Sequence, residues 1–263
     1  MGDVYESLRD ALRSETPVAL ATIVEGTGIG AKLLVRSEGP SLGTLGNDAL
    51  DAVVTRDARG ELEVGRSGTR HYGTRGEARA RDVSVFIESF AAPPHMIIFG
   101  AVDFTAALAR VAKILGYRVT VCDARAVFAT VARFPMADEV VNDWPDRYLA
   151  KVGDELGPRD AVCVLTHDPK FDVPAIIGAL ATDVGYLGAM GSRRTHTERT
   201  ERLHAEGVDD RDLARVLAPI GLDIGARTPE ETAISICAEI IALRTGQAGG
   251  SLTNTSGPIH NRD

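Results

Sequence analysis

The alternation of apolar and polar positions is clearest in the middle of the chain. Residues 96–99 are consecutively apolar and stop at Gly100, which predicts a short strand buried on both faces. Apolar residues then recur at helical spacing until Gly116, a residue suited to end a helix. A second apolar strand is predicted over residues 119–122, with Asp123 at its end. Strand, glycine turn, helix, strand and terminal acid together predict a Rossmann-type βαβ unit.

The turn after the first strand of this unit departs from a dinucleotide-binding turn. Val102 occupies a position where glycine normally lets the backbone approach a pyrophosphate, and Asp103 adds a negative charge beside it. Asp123 follows about twenty residues later, where an acid can accept hydrogen bonds from ribose hydroxyls. Two interpretations therefore stay open: a nucleotide crevice that includes Asp123 and Arg125, or ordinary surface residues at a strand end.

Further strands and helices alternate after this unit and extend it into a parallel sheet. The helix near residue 229 begins with proline at its first position and acids in its first turn. Residues 218–225 are predicted as a strand-to-loop segment, and residues 247–263, rich in Gly, Ser, Thr and Asn, as a disordered tail. The predicted strands cover residues 137–141, 160–166 and 184–188, and the predicted helices cover residues 147–152, 173–180, 195–206 and 229–243.

The first ninety residues have a different pattern, with several short strands and little strand–helix alternation. They predict a small α+β domain of non-parallel strands. Two prolines within residues 91–94 interrupt regular structure, so the domain boundary is placed at residue 92. The fold class is thus α/β, a small α+β N-terminal domain over residues 1–92 followed by a Rossmann-like parallel-sheet domain over residues 93–246. The predicted N-terminal elements are helices over residues 5–13 and 49–55 and strands over residues 18–24, 31–35, 62–64, 69–72 and 83–90.

Composition excludes several classes of function. The 263 residues include 29 Lys and Arg against 37 Asp and Glu, and a net charge of −8 argues against nonspecific binding to nucleic acid or to a membrane surface. The charged first seventeen residues predict no signal peptide, and no apolar run reaches transmembrane length. The three cysteines lack metal-ligand spacing and are expected to be core residues of a cytoplasmic protein. No metal site is predicted.

Besides residues 100–103 and 123–125, functional groups cluster at the ends of two further predicted strands. His167 and Asp168 can supply acid–base or cation-binding groups, or belong to a helix-capping loop in which Asp172 marks the helix start.

The second group follows the strand predicted to end at Gly188. The segment Gly191-Ser192-Arg193-Arg194 offers backbone amides, a hydroxyl and two guanidiniums at a helix start, which favours an anion site. The alternative is a solvated basic turn that pairs with Glu198 and Glu201. No catalytic signature of known spacing occurs.

The order of several short motifs in the second domain is similar to that of a known family. The motifs are Phe99-Gly100-Ala101, Asp123-Ala124-Arg125, Arg133-Phe134-Pro135, Leu165-Thr166-His167-Asp168-Pro169-Lys170, Tyr186-Leu187-Gly188-Ala189-Met190-Gly191-Ser192-Arg193, Pro219-Ile220-Gly221-Leu222-Asp223-Ile224-Gly225, Thr228-Pro229-Glu230-Glu231 and Ser235-Ile236-Cys237-Ala238-Glu239. Together, these motifs resemble those of the xanthine dehydrogenase accessory protein family, XdhC/CoxI. The resemblance covers about residues 95–247 and extends more weakly over residues 1–90.

This resemblance implies a cytoplasmic maturation factor for a molybdenum hydroxylase of the xanthine or carbon monoxide dehydrogenase type. Such factors bind molybdenum cofactor (molybdopterin), assist its sulfuration with a cysteine desulfurase, and deliver it to the apo-enzyme. They are generally homodimers, and the resemblance implies an accessory protein rather than a catalyst. The cofactor-binding positions carried over from the family are Gly100, Asp123, Arg125, His167, Asp168, Gly188, Gly191, Ser192 and Arg193.

The chain also departs from the family pattern. The family's N-terminal domain usually has a cysteine in a glycine-rich loop, whereas residues 43–48 here contain none, and Asn47 stands in that loop. Two alternatives to the maturation factor therefore stay open. One is an oxidoreductase that uses NAD(P) or another nucleotide, with His167 and Asp168 as acid–base groups. The other is a scaffold paralogue that binds no cofactor.

Overall fold

A computed structural model describes residues 2–77, 80–254 and 256, apart from the side chain of residue 2. The described chain forms two compact units that meet in sequence between Ala92 and Pro93. Within the described residues, no helix is both long enough and apolar enough to cross a bilayer.

The N-terminal unit is built on one antiparallel sheet, as the non-parallel pattern predicts. Its strands are β1 (Val18–Glu25), β2 (Lys32–Arg36), β3 (Leu42–Thr44), β4 (Gly68–Tyr72) and β5 (Val83–Phe90). They lie in the order β3-β2-β1-β5-β4, and every neighbouring pair is antiparallel. Helix α1 (Gly2–Arg13) packs near β2 and β3, and helix α2 (Asp48–Val64) covers the sheet.

Helix α2 corrects one prediction. The pattern predicts a strand over residues 62–64, but these residues are the last turn of α2, which ends at Gly65 in a left-handed conformation. The physical reason is a spacing of four that continues through the helix and buries one face against the sheet. Asn47 begins the helix by accepting hydrogen bonds from the amides of residues 49 and 50. The buried residues at that spacing are Leu50, Val54, Ala58 and Leu62.

The second unit is built on a six-stranded parallel sheet. Its strands are β6 (His95–Phe99), β7 (Arg118–Cys122), β8 (Glu139–Val141), β9 (Ala161–Val164), β10 (Tyr186–Ala189) and β11 (Val216–Leu217). Their order is β11-β10-β9-β6-β7-β8, with parallel pairing throughout. The order reverses between β6 and β9, and the crevice outside the strand ends at such a point is the usual ligand site of doubly wound sheets. We call the side of the sheet where these strands end the carboxyl edge.

Helices cover both faces of this sheet. They are α3 (Asp103–Ile114), α4 (Pro145–Val152), α5 (Pro169–Leu180), α6 (Arg193–Ala205), α7 (Asp210–Leu213) and α8 (Pro229–Thr245). Alternate residues of β6 enter two separate cores, Met96 and Ile98 beneath α3 and α8, and Ile97 and Phe99 beneath α4 and α5. Two buried faces explain why the strands are continuously apolar, and the Rossmann-like prediction is confirmed.

Several predicted boundaries differ from the structure. Helix α5 begins at Pro169 rather than at residue 173, because Asp168 accepts a hydrogen bond from the Lys170 amide and caps it. The short helix α7 was not predicted, and β11 precedes the segment 218–225, which is a loop. Of the predicted tail, Leu252–Asn254 forms a 3-10 turn, and residues 255 and 257–263 lie outside the described residues.

Candidate functional site

The glycine turn between β6 and α3 is occupied by its own hydrogen bonds. Gly100 has φ +105°, and a Cβ there would stand 2.9 Å from the Thr166 nitrogen, so only glycine fits. The turn amides donate within the protein: Gly100 to the Cys122 carbonyl (3.0 Å), Ala101 to Asp123 Oδ2 (2.7 Å) and Val102 to the Gly100 carbonyl (3.0 Å). The exposed carboxylate of Asp103 follows at once. This turn therefore offers no free amides from residues 100–102 to a pyrophosphate.

Asp123 is buried and fully engaged at the end of β7. Its carboxylate accepts from the Ala101 amide and from three donors of Arg125: the amide (2.9 Å), Nε (2.9 Å) and Nη2 (2.7 Å). Burial by itself raises the pKa of Asp123, but these hydrogen bonds outweigh it and the net pKa is lowered. The ionised carboxylate thus holds Arg125 in place, and its oxygens are already used where a ribose would need them.

Arg125 lies at the centre of a group of aromatic and cationic side chains. Its Cζ is 4.6 Å from the Phe128 ring centroid and 5.6 Å from the Phe171 centroid. Trp144 packs on Phe171 with ring centroids 5.1 Å apart, and Lys170 Nζ lies 4.7 Å from the Phe171 centroid. We call these five residues the aromatic–cation cluster. It lies at the carboxyl edge, after β7, after β8 and at the start of α5.

His167 and Asp168 lie beside this cluster, after β9. Asp168 Oδ2 is 3.2 Å from Lys170 Nζ, and its pKa is lowered mainly by the hydrogen bond from the Lys170 amide. A carboxyl with a lowered pKa is ionised at neutral pH and acts as an acceptor rather than as a general acid. His167 is exposed next to it. The helix-capping interpretation thus applies, with Asp168 as the cap instead of Asp172.

Asp172 instead forms a buried ion pair with Arg199 of α6, at 2.9 Å, with both side chains less than 5% exposed. Arg199 Nη2 also donates to the Met190 carbonyl at 2.7 Å, so the pair connects α5 to the loop after β10. Burial raises the pKa of Asp172 more than Arg199 lowers it. Sequence patterns give little sign of this pair, except that Arg199 stands four residues before the buried Leu203.

The predicted anion site after β10 divides into parts with different roles. Gly188 lies buried within β10, where a Cβ would stand 2.5 Å from Ile220, so it serves packing. Ser192 caps α6 by accepting a hydrogen bond from the Thr195 amide at 3.1 Å, and it follows Gly191, whose φ is +148°. Arg193 is exposed and forms no hydrogen bond or ion pair through its side chain within the described part of the chain. By contrast, Arg194, the second guanidinium of the predicted anion site, pairs with Glu198 at 3.0 Å, as the basic-turn alternative predicted for this segment.

The predicted residues therefore fall on two sides of the first turn of α5. Gly100, Asp123, Arg125 and Asp168 come together with the aromatic–cation cluster on one side, through the contact of Arg125 with Phe171. The loop 191–193 lies on the other side, next to the Asp172–Arg199 pair. Phe128, Trp144 and Phe171 were not predicted as site residues. Among the described residues, no group of three or more His, Cys, Asp or Glu side chains is arranged to hold a metal.

The sequence and the fold agree with known proteins in both units. The model of the XdhC Rossmann domain matches residues 96–240, and that of the XdhC and CoxI family matches residues 11–73. The solved structure of a xanthine dehydrogenase from Bacillus halodurans superposes with a TM-score of 0.55 and 23% identity, covering 95% of this chain and 98% of the other. At that identity the likeness supports the fold alone.

Curated relatives share parts of this sequence. The uncharacterized protein YqeB of Escherichia coli K12 is 28% identical over 92% of this chain and 46% of its own length. A Bacillus subtilis protein named as a probable xanthine dehydrogenase subunit is 34% identical, over 61% of this chain and 46% of the relative. The molybdenum cofactor insertion chaperone PaoD of Escherichia coli K12 is 33% identical, over 39% of this chain and 32% of its own length. The chain spans less than half the length of each. With its Rossmann unit matched over more than half of the sequence, the chain belongs to the XdhC and CoxI family.

Proposed function

We propose that this protein is an accessory factor for a molybdenum hydroxylase of the xanthine or carbon monoxide dehydrogenase type. It binds molybdenum cofactor as cargo, and delivers it to the apo-enzyme or assists its sulfuration. Membership of the XdhC and CoxI family supports this role, as do relatives named as a molybdenum cofactor insertion chaperone and as a probable component of xanthine dehydrogenase. A homodimer in the cytoplasm that also contacts a cysteine desulfurase belongs to the same proposal.

The observation that carries the proposal is the free cationic site at the start of α6. Arg193 is exposed and uncommitted within the described residues, and the first turn of α6 contains no acid. Unpaired amides at a helix start, together with a guanidinium, suit a phosphate group. A pyranopterin carries such a phosphate, and residues 191–193 therefore bind that arm of the cargo.

The nucleotide-dependent oxidoreductase has less support from the same edge. The amides of residues 100–102 and the oxygens of Asp123 are used within the protein, and Asp103 adds a negative charge where a pyrophosphate would approach. A dinucleotide in its usual pose requires the opposite arrangement, with free amides and a free acid.

Native mass spectrometry of the protein from a host that makes molybdenum cofactor tests this function. We expect an adduct with the mass of a molybdopterin species. Losing a charge-assisted hydrogen bond costs about 1.5–3 kcal/mol, so Arg193→Ala should lower adduct affinity roughly tenfold or more. Arg194→Ala is the matched control, because Arg194 is paired with Glu198 and should leave the adduct unchanged.

Two different results would contradict the proposed function. A folded protein with no adduct would refute the carrier function and favour the cofactor-free scaffold. An adduct of nucleotide mass alone would favour the oxidoreductase.

A further inference from the structure

We infer that the aromatic–cation cluster is a binding platform for the planar ring system of the cargo, separate from the phosphate site at residues 191–193. The inference rests on the proposed function for the identity of the cargo. It assigns a ligand class, a fused aminopyrimidinone heterocycle, to residues that neither the motifs nor the family positions include, namely Phe128, Trp144 and Phe171.

The first argument is that the Arg125 side chain is held rigidly. Arg125 is held by the buried Asp123 through Nε and Nη2, and its remaining nitrogen, Nη1, makes no hydrogen bond within the described residues. The Arg125 side chain is 38% exposed, and its guanidinium contacts the rings of both Phe128 and Phe171. A side chain fixed before binding loses little conformational entropy when a ligand arrives. Asp123 thus acts as a positioning residue for Arg125.

The second argument is the exposure of aromatic rings. Phe128 is 38% exposed and Trp144 is 39% exposed, and no other phenylalanine or tryptophan of the described residues is exposed. Both lie at the carboxyl edge, although one follows β7 and the other follows β8. Stacking on aromatic rings is a general way to bind heterocycles, because every such ring system has a π face. Two exposed rings beside a fixed guanidinium form a surface of that kind.

The third argument is the balance of charge around the rings. Two ion pairs beside the rings place donors and acceptors next to each other, Lys170–Asp168 at 3.2 Å and Arg133–Asp103 at 3.8 Å, and Arg125 Nη1 adds a further donor. A surface that carries both positive and negative charges does not suit a purely anionic ligand. It matches the edge of an aminopyrimidinone, which has an amino donor and a carbonyl acceptor side by side. The phosphate of the same molecule is left to Arg193, across the first turn of α5.

Fluorescence tests the platform directly, because Trp144 is the one tryptophan of the chain. The full-length protein is titrated with pterin-6-carboxylate, with NAD+ and inorganic phosphate as comparison probes. We expect saturable quenching of Trp144 by the pterin, much weaker quenching by NAD+ and none by phosphate. Absence of saturable quenching by the pterin would overturn the inference.

Two variants identify the contact. Phe128→Ala should weaken pterin binding about tenfold, from the stacking that one aromatic side chain contributes. Val127→Ala is the matched control, since Val127 is adjacent and 74% exposed but lies outside the cluster. Circular dichroism establishes that both variants are folded. Lys170→Gln provides a second variant that retains the rings, and it should weaken binding severalfold by replacing the charged ammonium donor with a weaker, neutral amide.

The results separate this inference from the proposed function. If Phe128→Ala and Lys170→Gln both bind the pterin as tightly as Val127→Ala, the platform is wrong. A molybdopterin adduct retained at full occupancy in both variants would leave the proposed function intact while refuting the platform. If the unmodified protein acquires no adduct but its Trp144 is quenched saturably by the pterin, the platform stands and the proposed function fails.

Discussion

Asp123→Asn is the substitution that tests most directly how the carboxyl edge is held together. The carboxylate accepts four hydrogen bonds, one from the Ala101 amide and three from Arg125, and its side chain is 3% exposed. An asparagine keeps the shape but has one acceptor oxygen, so its amino group must face donors. Breaking a buried ion pair costs about 3–5 kcal/mol. Because Arg125 is 38% exposed and can turn to water, we expect a smaller loss of about 2–3 kcal/mol in the free energy of unfolding.

Urea unfolding followed by Trp144 fluorescence measures this loss in the Rossmann unit, where the single tryptophan lies. With a slope of about 2 kcal/mol per molar urea, the midpoint should fall by about 1–1.5 M. Asp103→Asn is the control, because that carboxylate is 92% exposed and 3.8 Å from Arg133, and it should change the free energy by less than about 0.5 kcal/mol.

The pH dependence of the free energy of unfolding provides a second test of the same carboxylate. The folded pKa of Asp123 is depressed, so its stabilising contribution is present above the unfolded pKa of about 3.9 and is lost as pH falls through the folded value. The unmodified protein should therefore lose more stability than Asp123→Asn as pH falls below about 4. Equal midpoints for Asp123→Asn and Asp103→Asn, with parallel pH profiles, would refute the role given to this carboxylate.

Other parts of the structure give three further predictions. Gly100→Ala should lower the free energy of unfolding in urea by at least about 2 kcal/mol, because φ is +105° and the new Cβ would meet the Thr166 backbone in the loop after β9; an unchanged midpoint would contradict this. Asn47→Ala should lower the stability of the N-terminal unit by about 1 kcal/mol, measured by circular dichroism, through loss of a helix cap. Cys122, Cys163 and Cys237 should resist a thiol reagent at pH 8 until denaturant is added, since burial raises the pKa of Cys122 and Cys237 to about 12; labelling of the native protein would contradict it.

The sequence predicted correctly those helices and strands that are determined by residues close together in the chain. The βαβ unit from β6 to β7 and the glycine at its turn were both readable from the sequence, because apolar runs and helix signals lie within a few residues of one another. The end of α2 was predicted wrongly because Leu62 and Val64 alternate with Glu63 as a strand would. The decisive signal there is the spacing of four from Leu50, which extends over a longer window than a short strand occupies.

The site was predicted less completely, because its geometry depends on strand order. Arg125, Trp144 and Phe171 are separated by nineteen or more residues, and they meet only because β7, β8 and β9 end at the same edge. The sequence indicated functional groups after four strands of this sheet, β6, β7, β9 and β10, but could not indicate which of those groups were already engaged within the protein. The use of Asp123 by Arg125 and of Asp172 by Arg199 is decided by packing. The site residues carried over from the family remain predictions for binding experiments.

The molybdenum content of a partner enzyme tests the central claim most directly. A molybdenum hydroxylase from the same cell is purified with and without the gene for this chain, and its molybdenum and pterin are counted per active site. The account predicts a hydroxylase that assembles but lacks cofactor, or lacks its terminal sulfur, when the chain is absent, with the defect restored by the unmodified chain and restored poorly by Arg193→Ala. A hydroxylase with full cofactor, full sulfur and full activity in the absence of the chain would contradict the account.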